Sequence, residues 1–99
     1  MASFRELLGP LGEDIDTVGI RVVCSVSYAP GQGVGKTDFV SGVFNFGIDS
    51  DPEIALNYAA QLLKESMPSF GLAAGGEIGA CGIAMVYPGG LQGGKGLRL

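Results

Sequence analysis

The chain contains no histidine. That removes the commonest general base near neutral pH and the commonest transition-metal ligand. It also rules out a Cys–His nucleophilic pair within one chain. Charge is the second scarcity. Only 16% of residues are Asp, Glu, Lys or Arg, against about 25% in ordinary domains. A surface so poor in charge is either largely glycine backbone or partly covered by another chain. The six basic residues, Arg5, Arg21, Lys36, Lys64, Lys95 and Arg98, form no cluster, and ten acids give a formal net charge of −4. A protein that binds nucleic acid by neutralising phosphates needs the opposite balance. Cysteine is sparse too: Cys24 and Cys81 alone do not make a disulfide framework. Both lie in apolar, strand-like runs. They read as two buried free thiols in a cytoplasmic or other reducing compartment, with a single cross-strand disulfide as the alternative. The opening Met-Ala-Ser-Phe-Arg-Glu has no apolar core of a signal peptide. The stretch 71–86 is apolar, but a membrane span needs about 20 residues, and this one carries Glu77, so no membrane partner is expected.

Hydrophobic residues make up 46% of the 99, and glycine supplies 18. This suits one small domain over residues 1–90, with a glycine-rich tail at 91–99. The strongest helix signal is Asp51 to Pro68. Pro52 disfavours a helical Asp51 and itself suits the first helical position, so Asp51 is the expected N-cap; Ser50, with Glu53 three residues on, could form a capping box instead. Ala55, Tyr58, Ala59, Leu62 and Leu63 fall on one face with Ile54 at its edge, while Glu53, Asn57, Gln61, Lys64 and Glu65 fall on the other. Pro68 ends the segment near Met67. A shorter helix is expected at Ser3 to Leu8, with Phe4, Leu7, Leu8 and Leu11 at helical spacing and Gly9-Pro10 as the break.

Three segments alternate like strands. From Val18 to Tyr28, Val18, Ile20, Val22, Cys24, Val26 and Tyr28 form one apolar face, and Gly19, Arg21, Val23, Ser25 and Ser27 form the other. From Asp38 to Ile48, Val40, Gly42, Phe44, Phe46 and Ile48 oppose Phe39, Ser41, Val43, Asn45 and Gly47. An antiparallel hairpin is the natural pairing. The third segment, Glu77 to Tyr87, is apolar or glycine on both faces, with Ile78, Ala80, Gly82, Ala84 and Val86 alternating with Gly79, Cys81, Ile83, Met85 and Tyr87. A strand of that kind is usually covered on both sides, and a second copy of the chain is a candidate cover. The expected fold is α+β in the order α-β-β-α-β: a small antiparallel sheet of about three strands with the main helix packed on one face.

Several features have the look of chemistry. Pro30 to Thr37, PGQGVGKT, resembles the phosphate-binding loop G-x-x-x-x-G-K-[ST] of P-loop NTPases at Gly35, Lys36 and Thr37. That resemblance implies a nucleotide site. Pro30, however, replaces the first glycine, and the residues after Thr37 alternate as a strand where the motif needs a helix N-terminus. A glycine-rich hairpin loop accounts for the same residues. The backbone amides around Gly31, Gly33 and Gly35, with Lys36 and Thr37, could still cradle a small anion. Glu13, Asp14 and Asp16 lack the ligand spacing of a calcium loop, and Asp49, Asp51 and Glu53 suit a helix N-terminus. Glu77 would be a general acid or base only if buried; a strand-end charge facing water is the plainer reading.

The expectation for function is a non-catalytic, self-associating structural or interaction protein of coat, shell or accessory type, with Ile83, Ala84 and Met85 near the contact. No catalytic residue, metal ligand or cofactor is assigned. A protein binding a small anionic ligand at 31–37 ranks second, and an enzyme drawing on Glu77 and Cys81 third. The strand pattern after Thr37 yields a first prediction. Calorimetry with ATP or GTP and Mg²⁺ is expected to show no binding; a micromolar affinity abolished by Lys36→Ala would establish a nucleotide site instead.

Overall fold

The computed structural model describes residues 2–28, 38–66, 76–90 and 97–98. Helix α1 (Phe4–Leu8) runs into a 3-10 turn (Gly9–Gly12). Strands β1 (Thr17–Tyr28) and β2 (Asp38–Gly47) follow, then helix α2 (Pro52–Glu65), strand β3 (Gly76–Pro88) and a two-residue strand β4 (Leu97–Arg98). The sheet order is β2-β1-β3-β4, and all three pairings are antiparallel. This is the expected α+β arrangement. The closing Leu-Arg of the tail adds a short fourth strand, pairing Leu97 with Val86 and Arg98 with Met85.

The alternation in β1 decides which way the sheet faces. Val18, Ile20, Val22 and Cys24 are fully buried and Val26 nearly so. They meet Val40 and Ile48 from the second segment, Val86 from β3, Phe4 from α1, and Ala55, Ala59 and Leu63 from α2. β2 pairs with β1 residue for residue from Thr17↔Gly47 to Val26↔Asp38. Both helices therefore lie on one side, and the fold is two layers thick.

α2 begins as its residues dictate. Asp51 is extended, and its Oδ1 accepts from the Glu53 amide at 2.8 Å and the Ile54 amide at 3.4 Å. A cap of this type stabilises a helix by about 1 kcal/mol. Ser50, the alternative cap, instead lends its carbonyl to the Phe4 amide at 3.1 Å. The helix closes at Ser66; Met67 and Pro68 lie outside the described residues. Its buried stripe is rotated from the one the spacing suggests. Ala55, Ala59 and Leu63 are buried and Leu56 packs at the side. Tyr58 is 58% exposed and Ile54 63% exposed, so neither belongs to the core as expected. Small alanines at 55 and 59 let the helix approach the sheet closely. Leu63 reaches β2 at Gly42, where an added Cβ would stand 3.1 Å from Leu63 Cδ2.

α1 is too short to stand alone, and three contacts hold it. Phe4 inserts into the core with 2% exposure. The Phe4 and Arg5 amides donate to the carbonyls of Ser50 and Ile48, which satisfies part of its unpaired first turn. Arg5 then spans the gap between chain segments: its Nε donates to Asp49 Oδ1 at 2.8 Å and its Nη1 to the Gly12 carbonyl at 2.8 Å. Leu8 packs against the core, but Leu7 and Leu11 are exposed, so the apolar face expected for this helix is only half used.

Two corrections concern β3. Its alternation is broken twice. Val22 pairs with Ile83 but Arg21 with Met85, leaving Ala84 as an extra residue; Cys24 pairs with Cys81 but Val26 with Ile78, so Gly79 and Ala80 both face Ser25. Bulges of this kind re-aim the side chains on either side. The core-facing set becomes Ile78, Cys81, Ile83 and Val86, in contact with or part of the core, instead of either set the alternation suggested. The strand has one apolar face and one open face. The second correction follows from the first. Cys24 and Cys81 come face to face with Cα atoms 4.0 Å apart and form a disulfide, so they are not free thiols. The expectation of a reducing compartment loses the support it drew from them.

Two predictions follow from this packing. Leu63→Ala is expected to cost about 2–5 kcal/mol, as buried leucines do, while Gln61→Ala on the outer face stays within about 0.5 kcal/mol; equal losses in denaturant melts would contradict the facing of α2. Removing the bridge with Cys24→Ala and Cys81→Ala together frees a loop with a sequence separation of 57. Such a loop is worth at most about 4 kcal/mol in lost chain entropy. The double variant should melt clearly below the wild type, and an unchanged midpoint would mean the bridge adds no stability.

Candidate functional site

The residues that suggested chemistry in the sequence do not converge. Gly31, Gly33, Gly35, Lys36 and Thr37 lie outside the described residues. Glu77 is exposed at the start of β3, which is the plain strand-end placement. Asp49 is occupied by Arg5, whose hydrogen bond holds its carboxyl below the usual carboxylate range. Asp51 serves as the α2 cap. Cys81 is consumed in the disulfide. Among the described residues no group of three or more acids and cysteines is placed to hold a metal ion, and no helix is long and apolar enough to cross a membrane.

Two surface features remain. The first is a shallow groove of about 370 Å³ between the end of β2 and the first turns of α2, lined by Asn45, Phe46, Ser50, Ile54, Ala55 and Tyr58. The Phe46 and Tyr58 rings meet edge to face with centroids 6.0 Å apart, a favoured aromatic geometry. These rings form one wall, and the exposed Ile54 stands beside them. No charged side chain lines the groove, so its chemistry is apolar contact with a rim of amide and hydroxyl.

The second feature is larger. Among the described residues no element packs on the sheet face opposite the helices. Register places its side chains in rows across three strands. Asn45, Gly19 and Tyr87 form one row; Val43, Arg21 and Met85 the next; then Ser41, Val23 and Gly82; then Phe39, Ser25 and the bulged Gly79-Ala80. Glu77 lies beyond, beside Ser27. Val23, Val43, Met85 and Tyr87 are half-buried by their neighbours, and Phe39 is 62% exposed. On the three long strands, Arg21 and Glu77 are the charged residues at positions on this face, and Arg98 of β4 pairs with Met85 at its edge.

Local contacts order part of this surface. Arg21 donates from Nε and Nη2 to the Tyr87 hydroxyl at 3.4 Å each. The hydroxyl in turn donates toward Met85 Sδ at 3.6 Å. The guanidinium thus reaches over β3 toward the Tyr87 row. At the other end the surface is nearly bare backbone. A Cβ on Gly79 would stand 3.0 Å from Ser25 Oγ, so glycine is what the bulge accommodates there. Ser25 and Ser27 spend their hydroxyls on the carbonyls of Ala80 and Glu77. The face is ridged at Met85, Tyr87, Val43 and Phe39 and hollow at Gly79, Ala80 and Gly82.

The contact residues suggested by the sequence are divided by this geometry. Met85 is on the open face and Ala84 is the bulge residue beside it. Ile83 lies on the other side, partly buried against the core. Val23, Val43 and Phe39 belong to the surface and were missed. The signal for them was present in the minority of apolar residues on the polar side of β1 and β2. No protein-family model, no curated protein and no solved structure matches this chain.

Proposed function

We propose that this is a non-catalytic protein that associates with copies of itself, a building unit or accessory of an assembly. One observation carries this reading: among the described residues the sheet is covered on one side only, and the other side presents Val23, Val43, Phe39, Met85 and Tyr87 around Arg21. Contiguous apolar surface of this kind marks an interaction site on a soluble domain. The acid excess of the whole chain fits a protein surface as partner better than a phosphate backbone. The apolar groove beside Tyr58 offers a further place for one side chain of a neighbour. The absence of histidine and the employment of Asp49, Asp51 and Cys81 in structural roles support a protein without chemistry of its own.

The mass in solution tests this. Light scattering at tens of micromolar should give at least a dimer. Val23→Lys and Val43→Lys, each placing a charge in the middle of the face, should shift that mass toward one chain, because an unpaired charge in an apolar contact is costly. Ile83→Lys should instead lower thermal stability, since Ile83 faces the core. A wild-type protein that remains a single chain at this concentration would end the self-association reading.

A further inference from the structure

Resting on the self-association reading, we propose that two copies stack their uncovered sheet faces with their strands running in opposite directions, about a two-fold axis that crosses the strands at the level of Val23. Two isologous stackings would place β1 over β1. In one, the axis runs along the strands. Every row then keeps its level, and Arg21 meets the Arg21 of the second copy across a low-polarity contact. In the other, the axis runs across the strands. Levels are then reversed about the axis, while β2 stays over β2 and β3 over β3. The positions of Arg21 and Glu77 separate these solutions.

Arg21 and Ser27, with Glu77 beside it, are about 20 Å apart along β1 at roughly 3.3 Å per residue. The Arg21 head leans toward Tyr87, which pairs with Gly19. The point midway between the Gly19 and Ser27 levels is Val23. With the axis there, the Arg21 and Tyr87 end of one copy lies over the partner's Glu77, and the same contact is made twice by symmetry. Charges of opposite sign are thus brought together at both ends of the interface.

The apolar relief fits the same placement. Val23 meets the partner's Val23 on the axis. Val43 of β2 lies over the partner's Phe39. Met85, the ridge of β3, lies over the partner's Gly79 and Ala80, where the bulge leaves no large side chain. Stacked sheets cross at about 30°, which keeps the central rows in register. Three strands spaced about 4.8 Å apart over ten residues give a face of roughly 500 Å² per copy. That lies at the low end of specific interfaces and suits an assembly that forms at micromolar concentration.

The test is a charge exchange read by sedimentation equilibrium and light scattering, with circular dichroism to confirm folding. Arg21→Glu and Glu77→Arg, each alone, should weaken the wild-type dimer at least tenfold by placing like charges in contact. The double variant Arg21→Glu with Glu77→Arg should recover most of that loss. Arg21→Gln and Glu77→Gln, which remove a charge without reversing it, should each weaken it as well and serve if a reversal fails to fold. If the wild type is dimeric but the double variant is no tighter than the singles, or if Arg21→Gln strengthens the dimer, this stacking is overturned while self-association stands; the second result would favour the axis along the strands. If the wild type is monomeric at tens of micromolar, self-association itself is overturned, and this stacking with it.

Discussion

The constraint on which the rest of this structure depends is the one-sidedness of β1. Five side chains at alternate positions, Val18 to Val26, are buried at or close to full depth, and the strand is paired along both edges. The buried side chains of the helices all serve that side: Phe4 from α1, and Ala55, Ala59 and Leu63 from α2. Among the described residues, α1 and α2 supply enough helix to cover one face of the sheet. Among the described residues no element packs on the other face, which presents a mixture of valine, methionine, tyrosine and bare glycine.

The bulges in β3 extend the same constraint. β3 must present apolar side chains to the core at both ends and also deliver Cys81 to Cys24. Strict alternation cannot meet both demands, because Ile78 and Val86 have even parity while Cys81 and Ile83 have odd. Two extra residues, one at Gly79-Ala80 and one at Ala84, shift the phase and shift it back. The same insertions leave small residues on the open face, so the device that closes the core also shapes the surface.

How much of this was legible in the sequence depends on how local the signal is. β1, β2 and the start of α2 are written in nearest-neighbour terms: alternation for the strands, Asp51-Pro52 for the helix. Those features appear in the structure where the residues put them. The rotation of α2 was not legible. Helical spacing gives an arc containing Tyr58, Ala59 and Leu62, and the two alanines that permit close approach to the sheet, near Gly42, outrank larger side chains in a way that only packing reveals. The bulges were hidden because glycine and alanine carry little facing information, and four of the eleven residues from Glu77 to Tyr87 are one or the other. The disulfide, which the sequence offered only as the alternative to two free thiols, depended on the bulges to bring Cys81 opposite Cys24. On the candidate surface, Met85 was found through the apolar character of its own strand; Val23 and Val43 became visible only once the strands were laid side by side.

The register also assigns the three long strands different tolerances to change in chain length. β1 and β2 are matched one for one from Thr17 to Val26. A residue lost or gained inside either would turn half of its core side chains to the outside. β3 carries slack: eleven residues from Ile78 to Pro88 span nine from Val18 to Val26. A deletion at Ala80 or Ala84 would regularise the strand and leave Ile78, Cys81, Ile83 and Val86 facing inward. β3 is therefore the strand that can absorb a change in length without loss of the core, while the paired stretches of β1 and β2 cannot.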